Sequence, residues 1–173
     1  MFAVGEWSGR PRLVEAGQVT DQRAPEVTSR IMSAVKNKDS EAELKLRRAL
    51  HARGLRYRVH LGKLVGRPDI VFLGPRVVVF VDGDFWHGNA WRLRGMSSFE
   101  EQFRFRSRPE WWEAKIRRNM ERDREVNEHL VAEGWRVIRL WESDVLRNLG
   151  DCVERVVSVL ANLTEAKPQD ANT

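Results

Sequence analysis

The sequence predicts an α/β domain in which a mixed central β-sheet is flanked by helices. Two observations carry that expectation. The run Val77-Val78-Val79-Phe80-Val81 has no polar alternation, the pattern of a central strand buried on both faces. Around it, helical and strand-like segments follow one another in the order α-α-β-β-β-α-β-α, which supplies helices to cover a sheet.

Residues 1–25 show little periodicity, are interrupted by Gly5, Gly9, Pro11 and Gly17, and are expected to form a flexible arm. Thr28 or Ser29 caps a short helix through Val35, with Ile31, Met32 and Val35 on one side. Ser40-Glu41-Ala42-Glu43 matches a capping box and opens a helix carrying Leu44, Leu46, Ala49 and Leu50, which Gly54 ends. Tyr57 to His60 reads as a short strand. Asp69–Leu73 and Arg76–Asp82 are β-rich runs joined at Gly74-Pro75, hence a hairpin. Residues 92–108 mix loop signals (Gly95, Ser97, Ser98) with Phe99, Phe103 and Phe105, which need cover. Pro109 suits the first turn of a long helix through about Ala132, and Gly134 stops it. Trp135–Trp141 is another strand, and Ser143 or Asp144 starts a last helix to about Leu163. Residues 26–163 thus form one domain, and 164–173 a polar, disordered tail.

Composition excludes several classes. The chain has 173 residues, of which 42 % are apolar, enough for a real core. No apolar run approaches the ~20 residues of a membrane span, and the first residues lack the apolar core of a signal peptide. Cys152 is the single cysteine, so neither an intrachain disulfide nor a cysteine-rich zinc site forms, and a reducing cytoplasm fits best. A net charge of +5 mildly favours a polyanionic partner, and any exposed members of the seven tryptophans would suit stacking on bases.

The chemistry concentrates in Gly66-Arg67-Pro68-Asp69 and Val81-Asp82-Gly83-Asp84-Phe85-Trp86-His87. Asp69 is either a turn aspartate or a metal ligand at a sheet edge. Asp82, ending the adjacent strand, and a neighbouring backbone carbonyl strengthen the second reading, because magnesium accepts one or two carboxylates and keeps several waters. His87 is the candidate general base, a role that imidazole suits near neutrality. Phe85 and Trp86 would face opposite ways on a strand, leaving one ring exposed as a candidate wedge between bases. One of Trp111 and Trp112 belongs to the core. Glu43 is explained by the capping box, and its helix could equally aim it at the site. Arg104, Arg106 and Arg108, with no acid between them, are candidate phosphate contacts. Lys115, Arg118 and Arg122 share a helix face that is either a second such surface or simply solvated.

Taken together, these pieces resemble the very short patch repair endonucleases, which nick DNA beside a T:G mismatch. The resemblance runs from about Thr28 to Asn148 through Ser29-Arg30-Ile31-Met32, Glu43, Leu55-Arg56-Tyr57-Arg58, the two stretches above, the helix with Trp112, Lys115, Ile116, Asn119, Arg122 and Asp123, and Gly134-Trp135-Arg136-Val137. It implies a restriction-endonuclease-like fold and a magnesium ion held by Asp69 and the backbone carbonyl of Val81. It implies proton transfer by His87 with Glu43 assisting through water, and a role for Asp82 either at the metal or behind it. Phe85, Trp86 and Trp112 would intercalate, and Met32, Lys115 and Asn119 would approach the mismatched pair. The implied protein is cytoplasmic and nucleoid-associated, a monomer acting on double-stranded DNA, open to partners from a repair pathway.

One feature of the family is missing. Where it carries a structural zinc, this chain has Asp84, Asn89, Trp91 and Ser143, which do not make a zinc site. Asp84, Asn89 and Ser143 could form a hydrogen-bonded substitute, and Trp91 with some of Phe99, Phe103 and Phe105 is expected to supply packing instead. Three functions remain: a T:G mismatch nickase, a nickase or restriction-type nuclease for a specific undamaged or modified sequence, and a DNA-structure-binding module without catalysis.

Overall fold

The computed structural model of the chain describes residues 39–165. The expected arm, the short helix bearing Met32, and residues 166–173 lie outside the described residues.

Helix α1 (Glu41–Ala52) leads to a hairpin of β1 (Ile70–Phe72) and β2 (Val77–Asp82). A one-turn helix α2 (Ala90–Leu93) and a 3-10 turn (Glu100–Phe103) precede the long α3 (Pro109–Ala132). Strand β3 (Arg136–Trp141), α4 (Glu142–Arg147) and α5 (Leu149–Glu165) complete the chain. The capping box is present in full: Ser40 Oγ accepts from Glu43 N, and the Glu43 carboxylate accepts from Ser40 N. Pro109 occupies the first turn of α3, as its fixed φ favours.

The described sheet is mixed, in the order β1-β2-β3. β1 and β2 pair antiparallel, Val71 opposite Val78, while β2 and β3 run parallel from Val77–Arg136 to Asp82–Trp141. The central strand is therefore β2, as its unbroken apolar run implies. Side chains alternate across it. Val77 and Val79 join Ile70, Phe72, Ile138 and Leu140 beneath α1, α4 and α5, where Leu46, Leu50, Val145, Val153 and Val156 close the core. Val78 and Phe80 join Val71 on the other face, beneath Val126 and Leu130 of α3.

Two expectations need correction. The strand at Tyr57–His60 shrinks to one antiparallel bridge between Arg58 and Val71, because His60 turns left-handed (φ 55°) and takes the chain off the sheet edge. The single last helix is two: Asn148 leaves helical geometry (φ −129°, ψ 49°), and the break lets Val145 of α4 and Val156 of α5 reach the same core. Among the described residues no helix is long and apolar enough to cross a membrane.

The turn before β1 is set by Gly66. Its φ is 74°, and a Cβ there would overlap Val126 Cγ1 and press on the Phe80 ring. Only glycine lets this turn lie so close to α3, and that seat fixes where the chain enters β1 at Asp69.

Candidate active site

An antiparallel hairpin brings the start of its first strand to the end of its second. Asp69 accordingly meets Val81: Asp69 N donates to Val79 O (3.0 Å), and Asp69 Oδ2 accepts from Val81 N at 2.7 Å. Parallel pairing carries the end of β3 to the same edge. A cleft of about 1270 Å³ opens there, lined by Glu43, Asp69, Val81, Asp82, Trp86 and His87 and by Lys115, Asn119, Asp123 and Arg139.

Burial pushes the Asp69 carboxyl up to about 6; the Val81 N–H opposes this, Glu43 adds to it, Arg47 opposes it and Asp82 adds to it. Glu43 is buried and already engaged, accepting from Asp39 N (3.1 Å), Ser40 N (3.3 Å) and Arg47 Nη2 (2.8 Å). Arg47 Nη2 also donates to Asp69 O at 3.2 Å, which ties the cap of α1 to the site. Asp82 is equally committed: Arg139 Nε reaches its Oδ2 at 2.6 Å and Arg139 Nη2 its Oδ1 at 2.8 Å.

His87 Nδ1 lies 2.5 Å from Asp123 Oδ2 and 3.6 Å from Asp82 Oδ1. An ionised carboxylate only accepts, so Nδ1 carries the hydrogen of this contact, and in the neutral ring the lone pair is then on Nε2. Burial pushes the Asp123 carboxyl up, but His87 and Arg139 together outweigh that and hold it below the usual carboxylate range.

Phe85 and Trp86 do not stand on a strand. They sit in the turn after β2, with ring centroids 5.2 Å apart, and both lean on Trp112 at 5.6 and 6.1 Å. Trp112 is buried at 6 % exposure beside Phe103 and Ile116, whereas Trp111 is 48 % exposed. Of that pair Trp112 is the core residue; it backs Phe85 and Trp86 and presents no free face. Asn119 Nδ2 donates to Trp86 O at 3.1 Å, so the helix holds this turn directly. The three arginines differ in setting. Arg106 lies over Phe85 (4.4 Å) and Trp112 (5.1 Å), Arg104 over the exposed Phe105, and Arg108 is the left-handed residue before α3.

The four variant positions take two forms. Asp84 Oδ1 accepts from Asn89 Nδ2 (2.6 Å) and Ser143 Oγ (2.8 Å), and Asp84 Oδ2 accepts from Ser143 N (3.0 Å). This clasp fastens the Phe85-Trp86-His87 turn to the start of α4. Phe103 and Phe99 pack against Phe85 and Trp112, while Phe105 is 79 % exposed and Trp91 lies half-buried under Arg92 (4.7 Å).

Comparison with known proteins identifies the relatives. A family model described as "DNA mismatch endonuclease Vsr" matches residues 20–93. A type II nicking enzyme of Neisseria meningitidis serogroup C, V.NmeDIP, is 42 % identical over 136 residues, covering 79 % of this chain and 87 % of that one. V.HpaIIP of Haemophilus parainfluenzae, also a type II nicking enzyme, is 39 % identical over 129 residues, 74 % of this chain and 86 % of its own. The chain belongs to the Vsr family. The DNA mismatch endonuclease Vsr of Escherichia coli K12 is 37 % identical over 114 residues, 66 % of this chain and 68 % of that one.

Within the described residues, the cleft gathers Glu43, Asp69, Val81, Asp82, Trp86, His87, Lys115 and Asn119. Phe85, Trp112, Arg104, Arg106 and Arg108 stand outside its lining, and Met32 is not among the described residues. Asp123 and Arg139 are among the cleft residues without a site assignment from sequence. In sequence Asp123 is one acid among the interleaved charges of α3, although Lys115, Asn119 and Asp123 recur every four residues, a better face than Lys115, Arg118 and Arg122. Arg139 is a lone charge between Ile138 and Leu140, both buried, and that break in an apolar strand was its signal.

The donor set fits a hard cation. Among the described residues no three His, Cys, Asp or Glu side chains converge on a metal site. One carboxylate, Asp69, lies beside the backbone of Val81, where Glu43 and Asp82 add negative charge and Arg47 offsets part of it. A magnesium ion that keeps most of its waters needs little more.

Proposed function

We propose that this chain is a magnesium-dependent DNA endonuclease that nicks the phosphodiester 5′ to the mispaired thymine of a T:G mismatch and so starts repair. The observation that carries the reading is the meeting, in one cleft, of a buried Asp69 beside the Val81 backbone and a His87 whose Nδ1 is held by Asp123. Family membership supports a restriction-endonuclease-like fold and DNA as substrate.

In this reading Asp69 and the Val81 carbonyl would hold the ion, which would supply charge stabilisation at the phosphate and activation of the attacking water. His87 Nε2 takes the proton of the attacking water as general base. Asp123 keeps the ring in the tautomer that leaves Nε2 free. Glu43 and Asp82, each spent on an arginine, set the charge around Asp69. Phe85 and Trp86, pushed forward by Trp112, open the stack beside the mismatch, and Lys115 and Asn119 line the approach. Residues 26–163 are the catalytic unit, and the Asp84 clasp takes the place of the structural zinc that the family resemblance implies; stoichiometric zinc in the purified protein would overturn that part.

Replacing Asp69 with Ala tests the assignment: nicking of a T:G duplex should be lost while binding stays within a few-fold. Continued nicking would refute it. A second reading, nicking of a specific undamaged or modified sequence, draws on the relatives called type II nicking enzymes. Equal cutting of T:G and matched T:A duplexes in one sequence context would favour it. Mismatch binding without turnover in magnesium or manganese would leave a binding module.

A further inference from the structure

We propose that Arg139 is a positioning residue for the proton-transfer histidine: its guanidinium locks Asp82 and Asp123 in place, and Asp123 in turn fixes His87. The inference rests on the nuclease reading above only for its consequence on catalysis; the geometry stands without it.

The guanidinium is engaged at all three nitrogens. Nε reaches Asp82 Oδ2 (2.6 Å), and Nη2 divides between Asp82 Oδ1 (2.8 Å) and Asp123 Oδ1 (2.9 Å). Nη1 donates to Asn127 Oδ1 (3.1 Å) and Asp123 O (3.4 Å). The plane lies on the Phe80 ring, 4.7 Å from its centroid. One side chain of β3 thereby joins the end of β2 to the middle of α3.

The division of Asp123 is the informative part. Its Oδ1 faces Arg139 and its Oδ2 faces His87 Nδ1. With Oδ1 drawn to Nη2 and Oδ2 to Nδ1, rotation of the Asp123 carboxylate is restrained, and Oδ2 is directed at His87. The fork also separates two carboxylates that approach from different elements and would otherwise repel. Asp82 is 5 % exposed with both oxygens on Arg139, so it anchors the fork and is not free to bind the ion. Lysine, a point charge without the planar fork, reproduces the charge but not the geometry.

Arg139→Lys and Arg139→Gln in the full chain test this, with wild type beside them. Imidazole nitrogen NMR on the DNA-free protein reports the His87 tautomer, and single-turnover nicking of a T:G duplex with magnesium reports the rate. Wild type should show one Nδ1–H tautomer. Each folded variant should show mixed tautomers and a nicking rate at least about tenfold lower, with duplex affinity changed less than about threefold. Thermal unfolding identifies which variant is folded; Arg139→Lys keeps the charge and serves if Arg139→Gln does not fold. A folded variant with the wild-type tautomer and rate overturns the proposal, and so does an Nε2–H tautomer in wild type, whatever the variants do. If wild type shows the Nδ1–H tautomer but does not nick, the nuclease reading fails and the clamp stands.

Discussion

Two regions flank the same turn and are built by opposite means. On one side the cleft holds Asp69, Asp82, Asp123 and Glu43 against His87, Arg139 and Arg47, each fixed by directional contacts. On the other, Phe85, Trp86, Trp112, Phe99 and Phe103 pack as rings and bury one another. The polar side gains orientation and loses stability, since Asp69 is buried beside other carboxylates and is pushed up to about 6. The aromatic side gains stability by burial, and the clasp from Asp84 to Ser143 binds the two together. The proposed function would use both: directional order for acting on a charged backbone, and packed rings for opening a base stack.

The comparison breaks most visibly at Trp112. Because it is core, Trp112→Ala should cost about 3–5 kcal/mol of stability, whereas Trp111→Ala should cost well under about 1 kcal/mol. Chemical denaturation compares them; equal losses would mean that Trp112 is not the support of the turn.

Asp69 sharpens the contrast from the other side. Its folded carboxyl binds a proton up to about pH 6, while the unfolded one releases it near 4. The folded state then holds more protons in that window, so metal-free stability falls as pH rises from about 4 to 6 and stays lower above. Asp69→Asn, which can still accept from Val81 N, should remove a penalty on the order of 2 kcal/mol at pH 7. It should abolish nicking while raising the melting temperature of the metal-free protein. A variant less stable than wild type at pH 7 would contradict the view that this end of the sheet is strained.

A smaller effect tests the link between the regions. Asp84→Ala removes the acceptor for Asn89 and Ser143 and should cost about 1–3 kcal/mol. Hydrogen exchange should speed up first in the Phe85-Trp86-His87 turn, and unchanged protection there would show that the aromatic packing alone holds it.

Most of the frame was legible in the chain. The unbroken Val77–Val81 run, the capping box, Pro109 and Gly134 are local signals, and the structure follows each of them. The misses were tertiary. Whether Tyr57–His60 pairs as a strand depends on the edge it meets, and the break at Asn148 depends on which core each helix half must reach. The acids and the histidine at the end of the sheet were recognisable because they punctuate an apolar hairpin. Asp123 and Arg139 were not, because their meaning lies in a contact across 16 residues between a helix and a strand. The exposed Phe105 has no role in this account.

The central claim is that the charged cleft cuts and the aromatic turn selects. End-labelled T:G and T:A duplexes of one sequence, incubated with wild type in magnesium or in chelator, test it most directly. The account predicts a single nick 5′ to the mispaired thymine, only in the T:G duplex and only with magnesium. Cutting in chelator, or equal cutting of both duplexes, would contradict it.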